Sequence, residues 1–79
     1  MPKFPVDAPK GRVIRAFESL GFRLIRQREH VVMARENIGG GRNVLVLPNH
    51  LRIKGPTLRD ACTEARVGRA EFLKAYEEA

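Results

Sequence analysis

The apolar spacings along this chain predict an α+β fold: one helix, three strands, a second helix and a short terminal helix. Three observations carry that expectation. Val13, Ile14, Phe17 and Leu20 recur at helical spacing and are followed by Gly21, a natural helix stop. Residues 22–47 then hold three short strand-like runs separated by brief polar or glycine-rich turns. Beyond them, Leu58, Ala61, Cys62 and Ala65 form a second helical stripe. The simplest packing is a three-stranded antiparallel sheet with the helices on one face and the other face open.

Taken in order, residues 1–8 read as a loose lead-in with two prolines, and Pro9 opens the first helix with Asp7 or Ala8 near its cap. Arg12, Arg15 and Glu18 fall on its solvent side. "FRLIRQ" (22–27) reads as a strand with Phe22 and Leu24 on one face, and "HVVMAR" (30–35) as the next. "ENIGGGRN" (36–43) is a turn, because three glycines supply positive φ without strain. It is not a phosphate cradle, since no GK[ST] follows. "VLVL" (44–47) is apolar on both faces, which points to the central strand, and Pro48 ends it. "NHLRIKGP" (49–56) reads as a basic loop. Thr57 and Asp60 have the spacing of a capping box for the second helix, Gly68 breaks that helix, and a last helix turns Phe72, Leu73 and Tyr76 inward.

The 79 residues fit one domain, 1–79, with one small core. Hydrophobic content of 43% excludes a disordered tail, and aromatic content of 6% argues against a stacking platform for single-stranded bases. The net charge is +6, and eleven of the fifteen basic residues are arginine, whose rigid fork of donors suits phosphate. Residues 1–59 hold twelve Lys/Arg against four Asp/Glu, and residues 60–79 hold three against five. A basic body with an acidic end makes nucleic acid the first partner to consider. The single cysteine, Cys62, excludes an internal disulfide, and its place on an apolar stripe makes it a core residue. No run is long enough to span a membrane, and the N-terminus lacks the apolar core of a signal peptide, so a cytoplasmic protein is the default expectation.

Two histidines, His30 and His50, bracket the glycine-rich hairpin. Histidine titrates near neutral pH, which suits general acid–base catalysis. No HExxH or Cys/His spacing suggests zinc, and Ser19, the only serine, has no catalytic partner. Arg23, Arg26, Arg28, Arg35, Arg52 and Lys54 flank the histidines in sequence and suit a backbone-binding surface. Spacing alone leaves His30 open between a base in a basic groove and an ordinary polar residue on an exposed strand. Register decides it: His30 lies on the open face if Val31 and Met33 pack under the helices, and under the helices if the register is opposite.

Five stretches, in this order, resemble the HicA (YcfA-like) family of toxin ribonucleases over residues 9–76: Leu20-Gly21-Phe22, "RQREHVVM", "LPNH", "KGPTLRDACTEA" and "RVGRAEFL". The resemblance implies a double-stranded-RNA-binding-domain-like α-β-β-β-α fold and sequence-tolerant, metal-independent mRNA cleavage that halts translation. It implies mRNA and a HicB-like antitoxin as partners, with no cofactor. His30 matches the histidine of the family's "GSH" motif and is thereby the implied catalytic residue, a general base on the ribose 2′-hydroxyl. Arg26, Arg28, Arg52 and Lys54 would hold phosphates, and His50 is the candidate general acid. Arg28-Glu29 stands where the family keeps Gly-Ser, placing a negative charge beside the expected phosphate, and Arg66-Val67-Gly68 replaces the helix-opening "GIS". Two other readings stay open: a non-catalytic RNA-binding module, and an interaction domain whose open sheet meets only a protein.

Overall fold

The structure is a computed structural model that describes residues 3–79. Its elements are β1 (Asp7–Pro9), α1 (Lys10–Ser19), β2 (Arg23–Gln27), β3 (His30–Glu36), β4 (Arg42–Pro48), β5 (Arg52–Lys54), α2 (Gly55–Ala65) and α3 (Arg69–Glu78). The expected α+β architecture is present: a three-stranded antiparallel meander, β2-β3-β4, with three helices.

The middle strand is β3, and not the apolar 44–47 run expected at the centre. Leu45 and Leu47 are fully buried, while Val44 and Val46 remain 42% and 41% exposed. Apolar residues on both faces of β4 therefore mark an uncovered apolar face, not burial on two sides. Short hairpin connections put the strand that is second in sequence at the centre in space.

The β3–β4 register is regular, with Val31 opposite Leu47 and Met33 opposite Leu45. These four side chains are fully buried and share one core with Val13 and Phe17 of α1, Leu58 of α2 and Phe72 of α3. Each large apolar side chain buried there contributes about 1.5–3 kcal/mol. Phe72 is the aromatic hub, with ring centroids 5.0 Å from Phe17, 5.8 Å from Tyr76 and 5.9 Å from Phe4. Leu73 and Tyr76 pack partly buried against the same core, in keeping with the inward face expected of the last helix.

Helix α1 stops at the glycine that marks its end in the sequence. Gly21 takes φ +97°, and the amides of Gly21 and Phe22 bond back to the carbonyls of Glu18 and Phe17 at 3.0 and 3.1 Å. The other boundaries need correction. Asp7–Pro9, expected as lead-in and helix start, is a strand paired antiparallel with Arg52–Lys54, which falls in the expected basic loop. Ala8 and Ile53 face each other in that pair and are fully buried. Pro9 is the N-cap of α1, not its first turn. Helix α2 begins at Gly55, so Thr57 lies inside it and no side-chain cap bond forms. The end of α2 comes at Arg66, in the left-handed region at φ 57°, two residues before Gly68. The Val67 amide there reaches the Cys62 carbonyl at 2.9 Å. Gly68 instead starts α3, where its amide donates to Glu71 Oε1 at 3.3 Å.

Candidate functional site

The register settles which way His30 points. Val31 and Met33 are under the helices, so His30, Val32 and Ala34 belong to the other face. His30 is exposed at the start of β3, opposite Pro48 at the end of β4.

Arg26 reaches the same face through an irregularity. Arg23 pairs with Ala34 and Leu24 with Met33, but Arg26 pairs with Val32 and Gln27 with Val31. Ile25 is therefore an extra residue, a bulge in the edge strand. In an unbroken ladder Arg26 would stand opposite Val31, on the helix side with Leu24. The bulge turns it to the open face, beside the column that starts at His30.

Arg26, Arg28, Glu29, His30, Val32 and Val46 line one depression of ≈430 Å³. Two arginines and one glutamate give its lining a net positive formal charge. The floor is the apolar pair Val32 and Val46, directly opposite each other in the ladder. The rim is the tight β2–β3 turn, closed by the Arg28 amide bonding to the His30 carbonyl at 3.1 Å.

Asn49 holds that turn in place. Its Nδ2 donates to the Arg28 carbonyl at 2.5 Å, and its own amide donates to the Glu29 carbonyl at 3.3 Å. Its Oδ1 accepts from Lys10 Nζ at 2.6 Å and from Gln27 Nε2 at 3.5 Å. One side chain thus joins the start of α1, the end of β4 and the turn carrying Arg28 and Glu29. Sequence reasoning missed this role. The only signal was an asparagine directly after a strand-ending proline, and asparagine side chains commonly bond nearby backbone in turns.

The remaining sequence-derived candidates lie elsewhere. His50 is exposed in the link between β4 and β5 and does not line the depression. Arg52 and Lys54 are exposed on β5, flanking buried Ile53, and belong to the separate two-stranded sheet. Arg23 is on the open face but faces Glu36, their charged ends 4.0 Å apart. Arg35 is structural: its guanidinium covers the Phe22 ring at 4.6 Å and donates to the Leu20 carbonyl at 2.9 Å.

Cys62 is in the core, as its position on the α2 stripe predicts. Burial, and then the charge of Glu71, push its thiol up to about 12, so it stays protonated and is a poor nucleophile at neutral pH. Among the described residues, no group of three or more His, Cys, Asp or Glu side chains converges so as to hold a metal ion. No helix among them is long and apolar enough to cross a membrane.

No protein-family model, curated protein or solved structure matches this chain.

Proposed function

We propose that this chain is a HicA-like toxin, an endoribonuclease that cleaves mRNA from the open face of a double-stranded-RNA-binding-domain-like sheet. A HicB-like antitoxin would be its protein partner. The observation that carries the reading is the convergence of His30, Arg26 and Arg28 in one depression on the helix-free face. The histidine that the family resemblance singles out is thereby accessible and has two phosphate-binding forks beside it.

In this mechanism the His30 imidazole takes the proton of a ribose 2′-hydroxyl. The 2′-oxygen attacks the adjacent phosphorus, and the bond from phosphorus to the 5′-oxygen breaks. The products are a 2′,3′-cyclic phosphate and a 5′-hydroxyl. Arg26 and Arg28 offset the charge that builds on the phosphate oxygens. Water, which reaches this exposed depression freely, protonates the leaving oxygen and takes the proton back from His30. His50 has no part in this scheme, because it lies outside the depression. General-base catalysis of this kind contributes about 10²–10⁴-fold.

The test is cleavage of a fluorophore-labelled RNA by the purified chain and by His30→Ala. The expected result is a cyclic-phosphate product with the chain and a loss of about 10²–10⁴-fold in rate with the variant. Equal rates would remove His30 from the mechanism.

A second reading has its own support. Glu29 lines the depression beside His30, where it opposes a phosphate. An RNA-binding module without cleavage fits that charge, and Glu29→Ser separates the two. An enzyme becomes faster when the opposing charge is removed, while a binding module becomes only tighter.

A further inference from the structure

A second depression, of ≈480 Å³, lies where the N-terminal segment crosses the start of α2. It is lined by Phe4, Val6 and Pro56 on the apolar side and by Lys3, Arg59 and Arg69 on the charged side. No carboxylate lines it, and among the described residues none of the three cations is in an ion pair. Lys3, Arg59 and Arg69 are all exposed, with Arg69 held over the Phe4 ring at 5.4 Å. Phe4 in turn packs on Phe72, so the floor is anchored to the core. Apolar surface ringed by three cations with no carboxylate in the lining fits a ligand with an apolar part and several negative charges, and a nucleotide in a chain has that chemistry.

Basic residues lie along the chain that links the two depressions. Lys10 bonds to Asn49 beside the first depression, and its amide bonds to the Leu51 carbonyl at 3.0 Å. Arg52 and Lys54 follow on β5 with exposed side chains, and Gly55, the first residue of α2, lines the second depression. Five residues lie between Asn49 and Gly55, six steps and so at most about 20 Å of extended chain at 3.3 Å each. That upper limit corresponds to about six stacked nucleotides at 3.4 Å each.

We propose that the depression formed by Lys3, Phe4, Val6, Pro56, Arg59 and Arg69 is a second RNA subsite. It holds the bound strand several nucleotides from the scissile phosphate, with Arg52 and Lys54 contacting the backbone between. The proposal rests on the RNA-binding reading of the His30 face, and it gives Arg52 and Lys54 a place outside the cleavage depression.

Fluorescence anisotropy with labelled single-stranded RNAs of about four and about twelve nucleotides tests it, using the full chain with His30→Ala to prevent cleavage. The variant Lys3→Gln/Arg59→Gln removes two cations without touching the Arg69–Phe4 stack. For the longer RNA, the slope of log affinity against log salt should fall in magnitude by about 1.4, at about 0.7 for each phosphate no longer neutralised. Affinity for the shorter RNA should not change. An unchanged slope with the longer RNA overturns the second subsite and leaves the His30 reading standing. No RNA binding by the parent protein overturns both. An acidic peptide that binds more tightly than the twelve-nucleotide RNA, and loses affinity in the same variant, reassigns the depression to a protein partner and overturns the proposal.

Discussion

Replacing Asn49 with alanine should loosen the turn that carries Arg28 and Glu29 while leaving the sheet and core intact. The side chain donates to the Arg28 carbonyl at 2.5 Å and accepts from Lys10 Nζ at 2.6 Å, and a third hydrogen bond, from Gln27, is long at 3.5 Å. A neutral hydrogen bond contributes about 0.5–1.5 kcal/mol net, and one to a charged donor about 1.5–3. Asn49 is only half-buried, so water replaces much of what is removed, and the expected cost is about 1–2 kcal/mol. With an unfolding entropy of about 2.1 cal/mol/K per residue, a 79-residue domain loses about 6 °C of Tm per kcal/mol. The expected drop is therefore about 6–12 °C by circular dichroism. On the proposed function, RNA affinity should fall with it, because Arg28 loses its fixed position on the rim. Asn49→Asp separates the two hydrogen bonds: it keeps the acceptor for Lys10 but places a carboxylate against the Arg28 carbonyl. It should rescue less than half of the stability difference. A Tm within about 2 °C of the parent for Asn49→Ala, with RNA affinity unchanged, would refute the anchoring role.

Two further outcomes follow from the geometry. Deleting Ile25 removes the bulge residue yet keeps all four pairs of β2 with β3, because Leu24 and Arg26 then become neighbours on opposite faces. The shortened chain should fold as the parent does, measured by amide-proton NMR, and on the proposed function it should keep the parent's RNA affinity in anisotropy; a lost fold or a lower affinity would contradict the register. Cys62 gives stability a pH dependence. Its folded-state thiol is raised from 9.0 to about 12, so the unfolded chain releases the proton first as pH rises. Its contribution is complete below about pH 9 and is lost as pH climbs toward 12, at ~1.4 kcal/mol between pH 8 and pH 10. Urea unfolding at those two pH values should show the difference in the parent and not in Cys62→Ala. An equal pH dependence in both would show that the thiol is not protected.

Elements with a long period are legible in the sequence. Helix α1 shows in Val13, Phe17 and the Gly21 stop, and the helix around Leu58, Ala61, Cys62 and Ala65 shows in its stripe. The three strands show in their alternation and turns. A segment too short to carry a period leaves no such trace. Asp7–Pro9 and Arg52–Lys54 are three residues each and become strands only by pairing with each other across the chain. Val44 and Val46 look buried by composition, which wrongly suggests a central β4, and only the one-sided placement of the helices leaves them exposed.

The candidate site divides along the same line. Charge and residue type alone pointed to a basic, arginine-rich surface, with His30 and His50 as its titratable groups. Only the tertiary structure decided which of these meet. A side chain's face depends on register, and register depends on a core contributed by α1, β3, β4, α2 and α3 together. Val31 and Met33 fill that core and turn His30 outward, and the bulge at Ile25 turns Arg26 to the same side. Pairing of β1 with β5 carries Arg52 and Lys54 away from that depression, and His50 does not line it.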